Sequence, residues 1–148
     1  MALDGDLEAS ARRVAEVLGL EQNGGLRADT GEWQFKMNAR SFDGVIGVYV
    51  GSNQYLPEPG EPQAMDGYAV VVDVQARQRK DAQGEEARLA FETLVAGLPE
   101  VPALLSDNVE FLVAAYLPGK GVHVFPSGTT LDVDDAGVWT SWVVNVDE

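Results

Sequence analysis

The chain has 148 residues, of which 24 are acidic and 10 are basic, and it carries a formal net charge of -14. A domain with this charge repels nucleic-acid phosphate and anionic membranes, and it attracts basic partners. The sequence contains no cysteine, which excludes disulfides, thiolate metal sites and cysteine nucleophiles.

The length and a hydrophobic fraction of 45% predict one globular domain spanning residues 1–148. The first residues show neither the basic nor the apolar region of a signal peptide. No apolar run approaches the ~20 residues that a membrane helix needs. We therefore expect a cytoplasmic protein.

The first half of the chain predicts one helix followed by strands. Apolar residues recur at helical spacing over residues 3–18, and Gly19 is a natural stop. The polar stretch 21–31 contains two adjacent glycines and predicts a loop. Residues 33–40 alternate between apolar and polar, as in a half-buried strand, and 45–50 form the return strand.

The stretch 51–67 is the most unusual part of the sequence. It contains Pro57, Pro59 and Pro62, and prolines at this spacing are incompatible with a central strand. Because the prolines stiffen the loop and lower its entropy before any binding event, the loop loses little entropy when it binds a partner. A loop this long in a compact domain is typically either functional or disordered.

The second half predicts one more helix and several strands. The helix covers residues 85–98, where the apolar residues follow a helical period, and two prolines end it. Leu104 and Leu105 suggest a short helical turn. Strands are predicted at 68–75, 108–117, 122–125, 129–133 and 138–146.

This order of elements favours the α+β class. We expect an antiparallel sheet of about six to seven strands with two helices packed on one face, because most connections have hairpin length. A parallel doubly wound fold requires helices between most strands, and the pattern lacks them.

No motif in the sequence identifies a reaction, a cofactor or a metal. His123 is the only histidine, and no Gly-x-Ser-x-Gly motif accompanies it, so a structural role is favoured. Residues 132–137 resemble the start of a calcium loop, but Val143 stands where the bidentate Glu belongs, so an acidic turn is favoured. Lys120 follows Gly119 without the Ser or Thr of a phosphate loop. We expect no catalytic, cofactor-binding or metal-binding residue.

Two tryptophans fall on the final predicted strand. Trp139 and Trp142 are an odd number of residues apart, so they are expected on opposite faces of that strand. One is expected in the core. The other is either a partner-binding anchor or covered by a neighbouring segment.

These observations favour a binding protein over an enzyme. A basic cleft on a partner gains association rate and orientation from an acidic binder, and the stiff loop with its flanking tyrosines offers the contact surface. The candidate partner-binding residues are Tyr55, Glu58, Gly60, Glu61, Gln63, Met65, Asp66 and Tyr68.

A small, acidic, cysteine-free α+β chain resembles the bacterial immunity proteins that neutralise secreted or contact-delivered toxins. The loop from Pro57 to Gly67 is similar to one expected in immunity factors against the mycobacterial tuberculosis necrotizing toxin, an NAD-glycohydrolase. This resemblance implies an antitoxin whose loop enters and blocks the toxin's NAD-binding cleft.

Two alternatives remain open at the level of sequence. An acidic secretion chaperone has similar size and composition, but it binds an extended effector segment rather than a folded toxin domain. A small enzyme or ligand-binding domain requires an enclosed pocket with placed polar groups, which linear sequence does not reveal.

Overall fold

The computed structural model describes residues 1–2, 6–26, 31–53, 60–77, 79–107 and 110–144. Within these ranges the chain forms three α-helices, α1 (Leu7–Leu18), α2 (Gln83–Gly97) and α3 (Ala136–Trp139). The strands are β1 (Glu21–Leu26), β2 (Trp33–Asn38), β3 (Val45–Ser52), β4 (Val70–Gln75), β5 (Ala103–Asp107), β6 (Phe111–Leu117) and β7 (Gly121–Val124).

Capping residues define both ends of helix α1. The Asp6 carboxylate accepts a hydrogen bond from the Ala9 backbone N–H at 2.7 Å, which satisfies one of the unpaired donors of the first turn. Gly19 closes the helix with a φ of 68°, a left-handed conformation that favours glycine. Val14 and Leu18 form part of its buried stripe. The predicted helix and its stop are confirmed, although it begins at Leu7.

The strands form two antiparallel sheets, with the orders β1-β2-β3-β4 and β5-β6-β7. The predicted α+β class with antiparallel pairing is confirmed, but the single sheet is wrong. After β4 the chain enters α2 and returns as β5, which pairs with β6 rather than with β4. The helical crossover therefore divides the strands into two groups.

Helices α1 and α2 cover one face of the first sheet, and α2 continues onto the second. Phe35, Val48 and Val74 stand in register across β2, β3 and β4 and are buried against the helices. Phe91 and Leu94 of α2 belong to the same apolar cluster. The other face of the second sheet packs on a second cluster that includes Ala64, Tyr68, Leu112, Ala115, Phe125, Leu131, Trp139 and Val143.

Several local predictions were wrong. Residues 21–26, predicted as loop, form edge strand β1, whose ladder with β2 accommodates the glycines through an irregularity between Gln22 and Gly25. Leu104 and Leu105, predicted as a helical turn, lie in β5, where they pair with β6. Most of the predicted last strand, 138–146, is instead helix α3 and a short 3₁₀ turn at Thr140–Trp142.

The last of these differences arises from the burial of one side chain. Trp139 is only 4% exposed, and its indole N–H donates to the Asp132 carbonyl at 3.2 Å, which folds the segment back on itself. Trp139 is therefore a core residue, but it does not lie on a strand. The predicted strand 129–133 is reduced to one bridge between Thr130 and Phe111.

A buried carboxylate ties α2 to the turn between β2 and β3. Glu86 is only 2% exposed. Its two oxygens accept hydrogen bonds from the backbone N–H groups of Arg40, at 2.7 Å, and Ser41, at 3.0 Å. These bonds give the buried carboxylate the hydrogen-bond donors that it needs, and they give the backbone N–H groups of the turn an acceptor.

We expect Glu86→Gln to lower the free energy of unfolding by about 1–3 kcal/mol, because it weakens charge-assisted bonds to two backbone donors. Glu92→Gln on the same helix is the control, since Glu92 is exposed and its ion pair with Arg88 lies at the surface. Urea denaturation measures both. Equal stability of the two variants would contradict the structural role of Glu86.

Candidate functional site

A groove of the described structure lies where the two sheets fail to join. It has a volume of about 960 Å³ and is lined by β4, β5 and the side of α2 that faces them. Ala87, Ala90, Phe91 and Leu94 supply an apolar floor from α2. The floor is continuous with the main core, so the groove is a gap between secondary-structure elements and not a surface depression.

The walls of this groove are strand edges. Neither the outer edge of β4 nor that of β5 pairs with another strand in the part of the chain that the structure describes. At one end, however, the first two residues bridge the gap. Met1 exchanges two backbone hydrogen bonds with Val70, at 2.6 and 3.1 Å, and the Ala2 N–H donates to the Pro102 carbonyl at 3.0 Å.

These bonds fix which backbone groups face the gap. The N–H and C=O of one strand residue point to the same side, and the sides alternate along the strand. The backbone N–H and C=O of Val72 therefore point into the gap, as those of Val70 do. By the same argument the backbone groups of Leu104 point into the gap, as the Pro102 carbonyl does. Within the described residues, neither Val72 nor Leu104 has a hydrogen-bond partner on that side.

The opposite end of the β4 edge is closed by a side chain. The Gln83 side-chain amide donates to the Val74 carbonyl, and its oxygen accepts from the Ala76 N–H at 2.7 Å. The exposed edge therefore lies between two occupied positions, with Met1 at one end and Gln83 at the other. Burial at the Met1 end lowers the pKa of its α-amino group from 8.0 to about 5.

The described half of the proline-containing loop packs against the protein. Ala64 is fully buried, and its N–H donates to the Leu131 carbonyl at 2.9 Å. The Asp66 carboxylate accepts from the Gln63 N–H at 2.9 Å, and Asn53 donates to the carbonyls of Met65 and Tyr68. Asp66 and Gln63 thus hold the turn in shape.

The predicted partner-binding residues therefore separate into three groups. Gly60 and Glu61 are exposed, and Gln63 and Asp66 are half-buried beside them. Met65 and Tyr68 line the groove. Tyr55 and Glu58 lie outside the described residues. Gly67 lies so close to the C-terminal segment that a side chain at this position would overlap the Val144 carbonyl oxygen.

An acidic surface that was missed in the sequence adjoins this loop. The Gln63 side chain donates to the Asp132 carboxylate at 3.5 Å, and Asp132 and Asp134 are both exposed. The sequence carries a signal for this surface. Residues 41–76 and residues 121–148 each contain five acidic residues and no lysine or arginine. The fold brings these two stretches together through the contact between Ala64 and Leu131.

His123 belongs to an aromatic stack. Its ring lies parallel to Trp142, with centroids 4.4 Å apart, and edge-on to Phe125 at 5.1 Å. The Lys120 ammonium lies 4.2 Å from the Trp142 ring centroid and donates to the Ser141 carbonyl. These contacts leave Trp142 half-buried, so the second tryptophan is covered by a neighbouring segment. They also support a structural role for His123.

No metal centre is formed by the described residues, among which no group of three or more His, Asp or Glu side chains converges. One carboxylate of the acidic turn at 132–137, that of Asp135, is used within the turn. Asp135 accepts from the Thr130 N–H at 2.7 Å and the Thr130 hydroxyl at 2.8 Å, which lowers the pKa of Asp135. In the described ranges, no helix has the length and apolar character to cross a membrane.

Tyr68, which also lines the groove, has a perturbed pKa as well. Burial raises its pKa from 10.0 to about 12, although the hydrogen bond from the Val144 N–H favours the ionised form. Because the folded-state pKa is raised, stability from the neutral phenol is complete below pH 10 and is lost as the pH rises toward 12.

We expect a spectroscopic alkaline titration of the native protein to contain a late tyrosinate step near pH 12. Tyr68→Phe removes this step, whereas Tyr49→Phe on the first sheet leaves it in place. A Tyr68→Phe titration that keeps the late step would show that the Tyr68 phenol is not shielded from water.

In comparisons with known proteins, no family model, curated protein or solved structure matches this chain.

Proposed function

We propose that this chain is an acidic immunity protein, an antitoxin of the cytoplasm that binds and blocks the basic active cleft of a secreted toxin. The observation that carries the proposal is the acidic surface formed by the loop beginning at Gly60 and the turn at 132–135. Both segments come from stretches without lysine or arginine, so the surface has no basic side chain of its own to neutralise it.

Distribution of charge supports binding at this surface rather than general solubility. Elsewhere, arginines are engaged in local ion pairs, such as Arg12 with Glu8 and Arg88 with Glu85. Glu61 and Asp134, in contrast, are exposed and lie on segments that contain only acids. A field of one sign concentrated on one surface accelerates the association of an oppositely charged protein.

The mode of inhibition that fits this surface is occlusion of a cleft. Enzymes that act on phosphate-bearing substrates, NAD among them, need a positive site. A binder with fixed carboxylates competes for that site. Because the hydrogen bonds of Ala64 and Asp66 hold the described part of the loop in shape, little ordering entropy is lost on binding.

A secretion chaperone is the second candidate, and the groove between β4 and β5 favours it. Two strand edges that no described strand occupies, above an apolar floor, suit an extended segment. A chaperone binds its substrate in this extended form. The two functions differ in what they do to the partner, since an antitoxin abolishes the activity of a folded toxin and a chaperone does not.

The test begins with affinity capture from the secreted fraction of the source cells, followed by recombinant production of the captured protein. We expect expression of that protein to kill a host cell and co-expression of this chain to restore growth. Capture without toxicity, or toxicity that this chain does not relieve, would refute the proposal.

The double variant Glu61→Lys/Asp134→Lys tests the acidic surface in the same assay. At low salt we expect about a tenfold loss in association rate with the toxin. Glu16→Lys/Glu21→Lys is the matched control, because it makes the same change in net charge at exposed positions on α1 and β1. Equal rate losses in both variants would show that net charge alone, and not this surface, drives association.

A further inference from the structure

We infer that the groove between β4 and β5 binds an extended segment of the partner protein as an added β-strand, with alternating apolar and basic side chains. This inference rests on the proposed function only in taking the segment from the same basic partner. The assignment of the groove as a binding site rests on four observations of the described structure. They are the arrangement of the strand edges, the pairing of Met1 and Ala2 with those edges, the two faces of the gap and its charge.

The first observation is the arrangement of the edges. In split β-α-β units, two strands joined by a helix are separated by one intervening strand. Here β4, α2 and β5 follow one another along the chain, and the space between the strands contains no complete strand among the described residues. Val72 and Leu104 direct backbone groups into this space from opposite sides.

The second observation is that backbone already pairs across one end of the gap. Met1 forms a two-bond antiparallel pair with Val70, and Ala2 bonds to Pro102 on the other side. These two residues act as the first rung of an intervening strand. The next positions along both edges offer the same type of hydrogen-bonding group to an added strand.

The third observation concerns the two faces of the gap. Side chains of an added strand would alternate between them. On one face they meet the apolar floor of α2, where Ala87 is half-buried and Ala90 and Phe91 are buried. On the other face, Asp73 of β4 points away from α2, whereas Leu104 of β5 packs on the second apolar cluster. This alternation favours apolar side chains on the first face and, beside Asp73, basic ones on the second.

The fourth observation is charge. Glu32, Asp73, Glu85 and Asp107 line the groove. Among the described residues that line the groove, Arg88 is the only basic one, and Glu85 and Glu92 each bind its guanidinium at 2.6 Å. The net field in the groove is therefore negative, which favours a basic segment over an acidic one.

The probe is a fluorescent peptide of alternating valine and lysine, as long as β4, titrated by fluorescence anisotropy. We expect it to bind, and we expect the same peptide with N-methylated backbone amides to bind at least about tenfold more weakly, because its ladder hydrogen bonds are lost. A valine–glutamate peptide of the same length is expected not to bind.

Ala87→Trp fills the groove floor and is expected to abolish peptide binding. Ala96→Trp is the matched control, because residue 96 is exposed on the same helix and does not line the groove. Circular dichroism verifies that both variants fold. If Ala87→Trp does not fold, the N-methylated peptide tests the inference on the unaltered protein.

Failure of the valine–lysine peptide to bind would overturn the inference, and so would any of three other results. The N-methylated peptide could bind as tightly as its parent, the two tryptophan variants could bind the peptide equally, or the chain could form a dimer that Ala87→Trp dissociates, which would make a second copy the occupant. The outcome is distinct from that of the toxicity assay. Peptide binding without toxin neutralisation would support the groove as a binding site and refute the antitoxin function. Toxin neutralisation without peptide binding would support the antitoxin function and refute the groove as a binding site.

Discussion

Helix α2 is the element on which the arrangement of both sheets depends. Its apolar side, with Phe91 and Leu94, is buried in the core that includes Val74 of β4 and Ala103 of β5. Burial of such side chains contributes about 1.5–3 kcal/mol each, so the helix holds the two strands in place without a ladder between them. The Glu86 carboxylate adds a polar attachment to the turn after β2. One helix thus stabilises two sheets, and among the described residues no strand pairs with their facing edges.

The two proposed binding features are linked through the segment after the proline-rich loop. Ala64 and Tyr68 insert into the second apolar cluster, and the bonds of Asn53 hold the intervening turn. This anchoring places Met65 and Tyr68 beside the groove while Glu61 remains exposed. The proposed acidic surface and the groove therefore lie next to each other.

Local sequence patterns predicted α1, α2 and most of the strands, but they did not predict the long-range pairing. The stripe containing Val14 and Leu18, followed by Gly19, is sufficient to predict α1, because caps and periodicity act within a few residues. The break between β4 and β5 depends on which strand edges meet, and no pattern within either strand encodes this. Trp139 shows the same limit, since its burial in a distant cluster overrides the strand propensity of the sequence around it.

At the candidate site, the sequence identified the loop from its prolines. The sequence did not show that Asp132 lies beside this loop, because the contact between Ala64 and Leu131 that brings them together is a feature of the fold.

Amide hydrogen exchange on the isolated protein tests the divided sheet most directly. Asp73 directs its N–H toward β3, where it pairs with Tyr49, and Val72 directs its N–H into the groove. The divided sheet predicts slow exchange at Asp73 and fast exchange at Val72, with fast exchange also at Leu104. Equal protection of Val72 and Asp73 would contradict it, because a strand would then already occupy the space between β4 and β5.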